Sequence, residues 1–177
     1  MRTALNIARV AILALMATSG SGLAQGSGAE ARLKQLNITL PADSAPAANF
    51  VNSVQAGKLL FLSGNTPGGQ WPLKGKVGKD LTVEQGYQSA RQTGLIMLTK
   101  VRTALGSLDR VKRIVKVLGM VNSADGFSDQ PKVVNGFSDL MVEVFGETVG
   151  KHARSAVGMA GLPGNAPIEV EMIVEVE

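Results

Sequence analysis

The sequence predicts an α+β domain in which a mixed β-sheet carries two helices on one face. Two short apolar segments precede an amphipathic helix at residues 82–105, and a second helix at 131–145 separates two further strand-like segments. The chain then ends in a regularly alternating strand at 168–177. The order strand–strand–helix–strand–helix–strand–strand is typical of a two-layer domain.

The first two strands are predicted to be short. Residues 50–54 alternate between apolar and polar side chains, and residues 58–63 (KLLFLS) form a compact apolar run after a turn at Gly57. Such a run, bounded by turn residues, indicates a strand in the interior of a sheet. The loop that follows it starts at Ser63 and Gly64.

The helix at 82–105 has recognisable ends. Thr82 is followed three residues later by Gln85, the spacing of a capping box. Apolar or small side chains recur at three- and four-residue intervals along one stripe. Gly106 follows the last of them and is a C-cap candidate.

A strand and the second helix follow. Residues 111–121 are rich in β-branched side chains and predict a strand. The second helix is predicted to begin near Pro131, a favourable residue in a first turn, and to end at Gly146. A further strand is predicted at 152–159, before a turn rich in Pro, Gly and Asn.

The last strand places its apolar and acidic side chains on opposite faces. The apolar face holds Ile168, Val170, Met172, Val174 and Val176, and the acidic face holds Glu169, Glu171, Glu175 and Glu177. One buried and one open face predicts antiparallel pairing, here with the preceding strand at 152–159. A sheet covered by helices on one side only also leaves a bare face, which predicts self-association.

The amino terminus resembles a secretory signal peptide. Two arginines and no acidic residue precede an apolar run at 10–17, and Gly22-Leu23-Ala24 supplies a small-x-small cleavage site. The run is shorter than the roughly 20 residues of a spanning helix, although a retained membrane anchor is the alternative. We therefore expect residues 1–24 to be removed and the protein to be periplasmic or secreted. Residues 25–46 are expected to form a linker and a loosely packed arm before the domain at 47–177.

Composition limits the classes of site. There is no cysteine, which excludes disulfides and thiolate chemistry, and His152 is the single histidine, which excludes a histidine-clustered metal site. Loss of the signal segment would lower the formal charge from +4 to +2. Basic clusters at 74–79 and 110–116 have few aromatic neighbours, so they indicate a solvated surface in preference to a nucleic-acid face.

The carboxyl-terminal third resembles the RidA/YjgF family. The resemblance is carried by His152-Ala153-Arg154-Ser155-Ala156-Val157, by the Leu162-Pro163 turn, and by the apolar-Glu alternation that begins at Ile168-Glu169. Two further segments agree, the strand that ends in Ser63-Gly64 and the Val134-Asn135 pair at the start of the second helix. The similarity extends from about residue 47 to residue 177, and the longer segment at 57–80 and the run at 140–154 are similar to a less characterised branch.

The resemblance implies a fold, an assembly and an activity. The fold would be chorismate-mutase-like and the protein a homotrimer with clefts between subunits. The activity would be hydrolysis of a reactive enamine or imine, such as 2-aminoacrylate, to a 2-keto acid and ammonia without a metal or organic cofactor. Arg154 would bind the substrate carboxylate and Glu169 would act on the catalytic water. Phe50, Ser63, Gly64 and Asn135 would line the cleft.

The residue types suit these roles, but each has an ordinary alternative. A guanidinium can hold a carboxylate through two parallel hydrogen bonds, yet Arg154 could instead form a salt bridge with a glutamate of the adjoining strand. A carboxylate within reach can orient a water, yet only the family resemblance singles out Glu169 among four glutamates. A Ser155–His152 dyad is disfavoured because near neighbours in a strand alternate between faces.

Two departures from the family pattern leave the activity open. Phe50 stands where active deaminases of the family usually carry a tyrosine, and Ala156 stands where a Cys or Thr is frequent. A phenylalanine keeps the ring but has no hydroxyl to donate. A non-catalytic protein that binds a small carboxylate in the same cleft is therefore the alternative to an imine deaminase. A nuclease is disfavoured by the single histidine and the scarcity of aromatic residues.

Overall fold

A computed structural model describes residues 28–46 and 48–177. The predicted signal peptide lies outside the described residues, so cleavage and export stay predictions. Among the residues described, no helix combines the length and the apolar character needed to cross a membrane.

The described chain forms a five-stranded sheet with helices on one face. The elements are α1 (Ala29–Gln35), β1 (Ser53–Ala56), β2 (Leu59–Asn65), α2 (Val83–Leu105), β3 (Val111–Asn122), α3 (Gln130–Gly150), β4 (Ala153–Met159) and β5 (Ile168–Val176). The spatial order of the strands is β1-β2-β5-β3-β4. The predicted α+β architecture with a mixed sheet is confirmed, and a third, short helix is added to the two that were predicted.

The long helix begins and ends as predicted. Thr82 accepts a hydrogen bond from the backbone of Gln85, whose side chain in turn accepts from the backbone of Thr82. Gly106 ends α2 in the left-handed conformation with φ of 80°. In α3, Gly146 breaks the helical geometry with φ of 75°, and one further turn runs on to Gly150.

The predicted hairpin between the last two strands is wrong. β5 lies between β2 and β3 and pairs with both in antiparallel fashion, whereas β4 pairs with β3 in parallel at the edge of the sheet. The alternation of β5 is nevertheless confirmed, since the five residues of its predicted apolar face are buried, whereas its glutamates and Ile173 on the other face are not. An alternating strand needs one covered face, but the alternation does not determine which strand lies beside it.

The core lies between the sheet and the two long helices. Val117, Val170 and Val174 of the central strands are fully buried against Leu98 and Phe137 of the helices. This layer of apolar side chains is the main source of stability for the sheet that carries the site.

Gly136 of α3 lies directly against the backbone of α2. A Cβ atom there would lie 2.0 Å from the backbone oxygen of Tyr87 in α2. Any side chain at this position would force the two helices apart. The absence of a side chain at Gly136 therefore determines how closely the first half of α3 packs against α2.

The amino-terminal arm is better packed than the sequence suggested. Its helix α1 buries Ala29 and Leu33, and Glu30 forms a two-point ion pair with Arg102 of α2. The short helix carries no strong periodic signal, because its stability comes from contacts with distant residues.

Candidate functional site

Arg154 lies on the edge strand and turns its side chain to the helical side of the sheet. Its register partner is Val117, which is fully buried beneath the helices. One guanidinium nitrogen, Nη1, donates to Oδ1 of Asn135 at 2.9 Å and to Oγ of Ser138 at 2.9 Å. Nη2 makes a longer contact of 3.4 Å with the carbonyl of Pro131. The guanidinium is thus held along one face of α3, beside Asn135.

A hydrogen-bonded chain continues from Arg154 to His152. Oγ of Ser138 lies 3.0 Å from Nε2 of His152, and Nδ1 of the same ring lies 2.7 Å from the carbonyl of Gly150. Burial lowers the pKa of His152 below 6.5; the Gly150 hydrogen bond opposes this shift, and the charge of Arg154 adds to it. The ring is therefore neutral near pH 7.

Sequence reasoning did not identify Ser138 and His152 as partners of Arg154. Ser138 follows Asn135 by three residues, which places both on one face of α3. That spacing was the available signal. It could not be interpreted before the edge position of β4 was known.

The guanidinium is not neutralised by an acidic partner in the described chain. None of the ion pairs found there includes Arg154. Burial lowers the pKa of Arg154, and the negative charge of Asp139 partly opposes that shift. The carboxylate of Asp139 in turn accepts a hydrogen bond of 2.9 Å from the hydroxyl of Tyr87.

The alternative of a salt bridge to a glutamate on the adjoining strand is wrong. β3 separates β4 from β5, so Arg154 and the glutamates of β5 do not lie on neighbouring strands. The charge of Arg154 is left available to a ligand.

An open groove of about 370 Å³ lies beside Arg154. Its walls come from the middle of α3 and from residues 151–154, where the chain enters β4, and they carry two cations, one acid and one imidazole. The lining residues are Ser138, Asp139, Val142, Lys151, His152 and Arg154. A small anion can therefore reach the guanidinium from solvent.

The remaining predicted site residues form a second group at the other side of the sheet. A Cβ atom on Gly64 would lie 2.2 Å from Oε1 of Glu169, so the glycine leaves space for that carboxyl group. Ser63 and Gly64 fall at the irregularity where the β2–β5 register shifts between Leu62 and Asn65. Burial raises the pKa of Glu169 above 4.5, and the charge of Glu171 raises it further.

Phe50 and Ser63 are linked through the backbone. The hydroxyl of Ser63 donates to the carbonyl of Val51 at 2.6 Å, and the neighbouring Phe50 is 53% exposed. An aromatic ring this exposed is available to a ligand or to a partner chain.

The two groups do not meet within one chain. Arg154 shares the buried side of the sheet with Val117, whereas Glu169 pairs with Met120, three residues further along β3. An odd number of residues along a strand reverses the face. Arg154 with Asn135 therefore lies on the helical side, and Glu169 with Gly64 lies on the bare side.

The bare face holds a cavity of its own, with a volume of about 410 Å³. It lies between apolar side chains of β2, β3 and β5, and Nζ of Lys116 donates to Oγ of Ser155 beside it at 3.0 Å. Ser155 thus lies on the opposite face from Arg154, which confirms that Ser155 and His152 do not form a dyad.

A third groove, of about 360 Å³, lies between the amino-terminal arm and α2. Its charged pair is Lys100 with Asp43, at 2.6 Å, and Lys100 is only 3% exposed. Both members are satisfied by each other, so this groove presents no free charge to a ligand.

Comparison with known proteins decides the family. A family model described as YjgF/chorismate mutase-like matches residues 30–176. The same description adds an endoribonuclease assignment that is marked as unproven. The chain belongs to the RidA/YjgF family. Protein TCP17 of Trypanosoma cruzi is 48% identical over 149 residues, covering 82% of this chain and 92% of that protein. The predicted chorismate-mutase-like fold is confirmed.

Solved structures of similar proteins agree with this membership. The protein Atu1372 of Agrobacterium tumefaciens, of unknown function, is 40% identical with a TM-score of 0.75, covering 84% of this chain and 91% of that one. A Shewanella oneidensis protein with a provisional endoribonuclease assignment is 31% identical with a TM-score of 0.80, covering 85% and 100%. Among relatives compared by sequence alone, a 2-iminobutanoate/2-iminopropanoate deaminase of Dermatophagoides farinae is 29% identical over 140 residues, covering 79% of this chain and 95% of that protein.

Proposed function

We propose that the protein hydrolyses a reactive enamine or imine to a 2-keto acid and ammonia, with the substrate carboxylate bound by Arg154 and with no cofactor. The observation that carries this proposal is the guanidinium of Arg154, which borders an open groove without an acidic partner in the described chain. The deaminase activity named for the Dermatophagoides farinae relative supplies the reaction.

The guanidinium of Arg154 can offer one of its edges to a carboxylate. Both hydrogens of Nη1 are taken by Asn135 and Ser138, and the described residues supply no acceptor for Nε. The Nε and Nη2 atoms form a planar pair of donors that matches the two oxygens of a carboxylate. A charge-assisted pair of this kind contributes about 1.5–3 kcal/mol to binding.

Hydrolysis requires a water and two proton transfers. Water adds to the imine carbon and one of its protons passes to the nitrogen; the hydroxyl proton of the tetrahedral intermediate then passes to the nitrogen as the C–N bond breaks, which releases ammonia and leaves the 2-keto acid. Glu169 is the proposed group that holds this water, because a carboxylate whose pKa is raised by burial accepts a proton more readily than an ordinary one.

A cleft shared between subunits is the proposed place for this chemistry. One chain presents Arg154 and Glu169 on opposite faces of its sheet, so one small molecule needs the second group from a neighbouring chain. The bare face exposes Val54, Phe61 and Val157, which is consistent with its being covered by other copies. We propose a homotrimer; sedimentation of the purified protein as a monomer at micromolar concentration would count against it.

The test of activity uses imino acids made in place by an amino-acid oxidase. The rate of ammonia release above the uncatalysed rate is compared for the wild type, Arg154→Ala and Arg154→Lys. We expect Arg154→Ala to lower kcat/KM by roughly 10- to 150-fold, the factor equivalent to one charged hydrogen-bonded pair. Arg154→Lys keeps the positive charge without the planar pair of donors, so its kcat/KM is expected to lie between those of the wild type and Arg154→Ala.

A charge-matched control is available in Lys79, which is exposed and lies outside the groove. The Lys79→Ala variant removes one positive charge and should retain wild-type activity. Equal rates for the wild type and Arg154→Ala, both at the uncatalysed level, would remove the enzyme proposal.

A non-catalytic carboxylate-binding protein is the second candidate. Phe50 supports it, because an aromatic ring without a hydroxyl cannot donate a hydrogen bond to substrate or water. Calorimetry with a 2-keto acid separates the two. Binding that depends on Arg154, with no acceleration of imine hydrolysis, would favour this second function. If export takes place as predicted, either ligand would have to be available outside the cytoplasm.

A further inference from the structure

We propose that Ser138 and His152 are positioning residues, which lock the guanidinium of Arg154 so that its Nε–Nη2 edge alone is offered to a single carboxylate. This inference rests on the proposed function. It adds two residues to the site and defines the ligand class as molecules that present one planar carboxylate edge-on.

The direction of each hydrogen bond in the chain is fixed by its last member. The carbonyl of Gly150 can only accept, so Nδ1 of His152 carries the hydrogen. Nε2 of the neutral ring is then an acceptor, and the hydroxyl of Ser138 donates to it. The oxygen of Ser138 is left with lone pairs only, one of which accepts from Nη1 of Arg154.

A fixed hydroxyl has a specific effect on the arginine. A serine that was free to rotate could point its hydrogen at the guanidinium, which has donors only and would be repelled. With His152 as its acceptor, Ser138 always presents a lone pair to Nη1. Together with Oδ1 of Asn135, it occupies both hydrogens of Nη1, so rotation of the guanidinium would break two hydrogen bonds.

The same atoms admit another interpretation, in which Ser138 is a nucleophile and His152 its base. The Ser–His distance of 3.0 Å and the orienting carbonyl satisfy the geometry of such a pair. However, the lone pair that would attack is shared with Nη1 of Arg154 at 2.9 Å. The positioning role accounts for the contacts of Ser138 with both His152 and Arg154, and the variants of these residues separate the two roles.

Two replacements of His152 form a matched pair. In His152→Gln, the amide oxygen can take the place of Nε2 and accept from Ser138. In His152→Asn, the shorter amide can replace only Nδ1 and donate to the carbonyl of Gly150. If the role of the ring is to accept from Ser138, the Gln variant should keep near-wild-type affinity for a 2-keto acid, and the Asn variant should lose roughly three- to tenfold.

Replacements of Ser138 give the corresponding comparison. Ser138→Ala should weaken binding of pyruvate by roughly three- to tenfold and raise KM with little change in kcat, since a carboxylate is bound equally in substrate and transition state. Ser138→Thr retains the hydroxyl and should restore affinity. Ser128→Ala, in an exposed position of the loop before α3, is the control and should behave as the wild type.

A spectroscopic measurement tests the hydrogen-bonded chain of Arg154, Ser138 and His152 without requiring activity. His152 is the single histidine, so the imidazole nitrogen signals of the ¹⁵N-labelled protein belong to it alone. We expect the Nδ1–H form at pH 7.5, and a change in the Nε2 signal in Ser138→Ala but not in Ser128→Ala. Circular dichroism shows in parallel that each variant is folded.

Several results would overturn the proposal. An Nε2–H ring, or pyruvate affinity unchanged in both Ser138→Ala and His152→Asn, would show that the pair does not position Arg154. Loss of kcat in Ser138→Ala, together with covalent labelling of Ser138 by a fluorophosphonate, would assign the nucleophilic role instead. If the wild-type protein neither hydrolyses imines nor binds pyruvate, the proposed function fails, whereas the ring signals still decide the hydrogen-bonded chain.

Discussion

Replacement of Gly64 by alanine should displace the carboxyl group of Glu169. The added Cβ atom would lie 2.2 Å from Oε1, whereas ordinary contacts begin at 3.4 Å, so the oxygen must move by at least about 1.2 Å. The carbon atoms Cδ and Cγ, at 3.1 and 3.3 Å, need to shift by only a few tenths of an ångström. Because the end of the side chain is flexible, we expect the free energy of unfolding to change by less than about 1 kcal/mol.

The consequence should be visible in the ionisation of Glu169. Burial is the main cause of its raised pKa, so a carboxyl group moved toward solvent should titrate closer to 4.5. Carboxyl ¹³C signals, followed against pH in the wild type and in Gly64→Ala, measure this shift directly. The proposed enzyme activity should fall as well, because the water-binding group has moved.

Gly69→Ala is the matched control, since a Cβ atom there would meet nothing within 4 Å. The Gly69 variant should keep the wild-type titration and activity. An unchanged Glu169 pKa in Gly64→Ala, or an equal change in both variants, would refute the claim that Gly64 provides the space for this carboxyl group.

Three further predictions concern stability. Burial lowers the pKa of His152 below 6.5, so as the pH falls the imidazole of the unfolded chain is protonated before that of the folded protein. The free energy of unfolding should therefore fall as the pH drops below 6.5, until the pKa of His152 in the folded protein is passed. His152→Gln should remove that part of the pH dependence, which chemical denaturation at several pH values can measure; an identical pH dependence in the variant would contradict it. Gly136→Ala should lower the free energy of unfolding by about 3 kcal/mol or more, because the added Cβ atom would meet the backbone oxygen of Tyr87 at 2.0 Å. A variant that unfolds near the wild-type temperature would rule out this contact. Asp43→Ala should lower the free energy of unfolding, measured by urea denaturation, by about 3 kcal/mol, since it leaves the buried ammonium group of Lys100 without its counter-charge. A decrease below about 1 kcal/mol would show that the pair is solvated.

Local signals in the sequence predicted the elements of the fold, but not all of their partners. The capping box of Thr82 and Gln85 and the alternation of residues 168–177 depend on neighbours in the chain, and both are confirmed. The position of β5 depends on β2 and β3, which are distant in sequence. Helix α1 was missed for the same reason, since Leu33 packs into a core formed by distant residues and Glu30 pairs with the distant Arg102.

The sequence assigned all the site residues to one cleft, without indicating which of them contact each other. The structure brings Asn135 to Arg154 and Gly64 to Glu169, as two separate groups. Their separation on opposite faces follows from the register of β3 against its two neighbours, which no local pattern encodes. Ser138 was not selected, because a serine in a helix is ordinary until an arginine is known to lie above it.

The most direct test of the account is a crystal structure of the protein with a 2-keto acid such as pyruvate. We predict that the carboxylate lies on Nε and Nη2 of Arg154, with Asn135 and Ser138 still bound to Nη1. A ligand in the arm groove or in the cavity of the bare face, with the Nε–Nη2 edge of Arg154 unoccupied, would contradict the central claim.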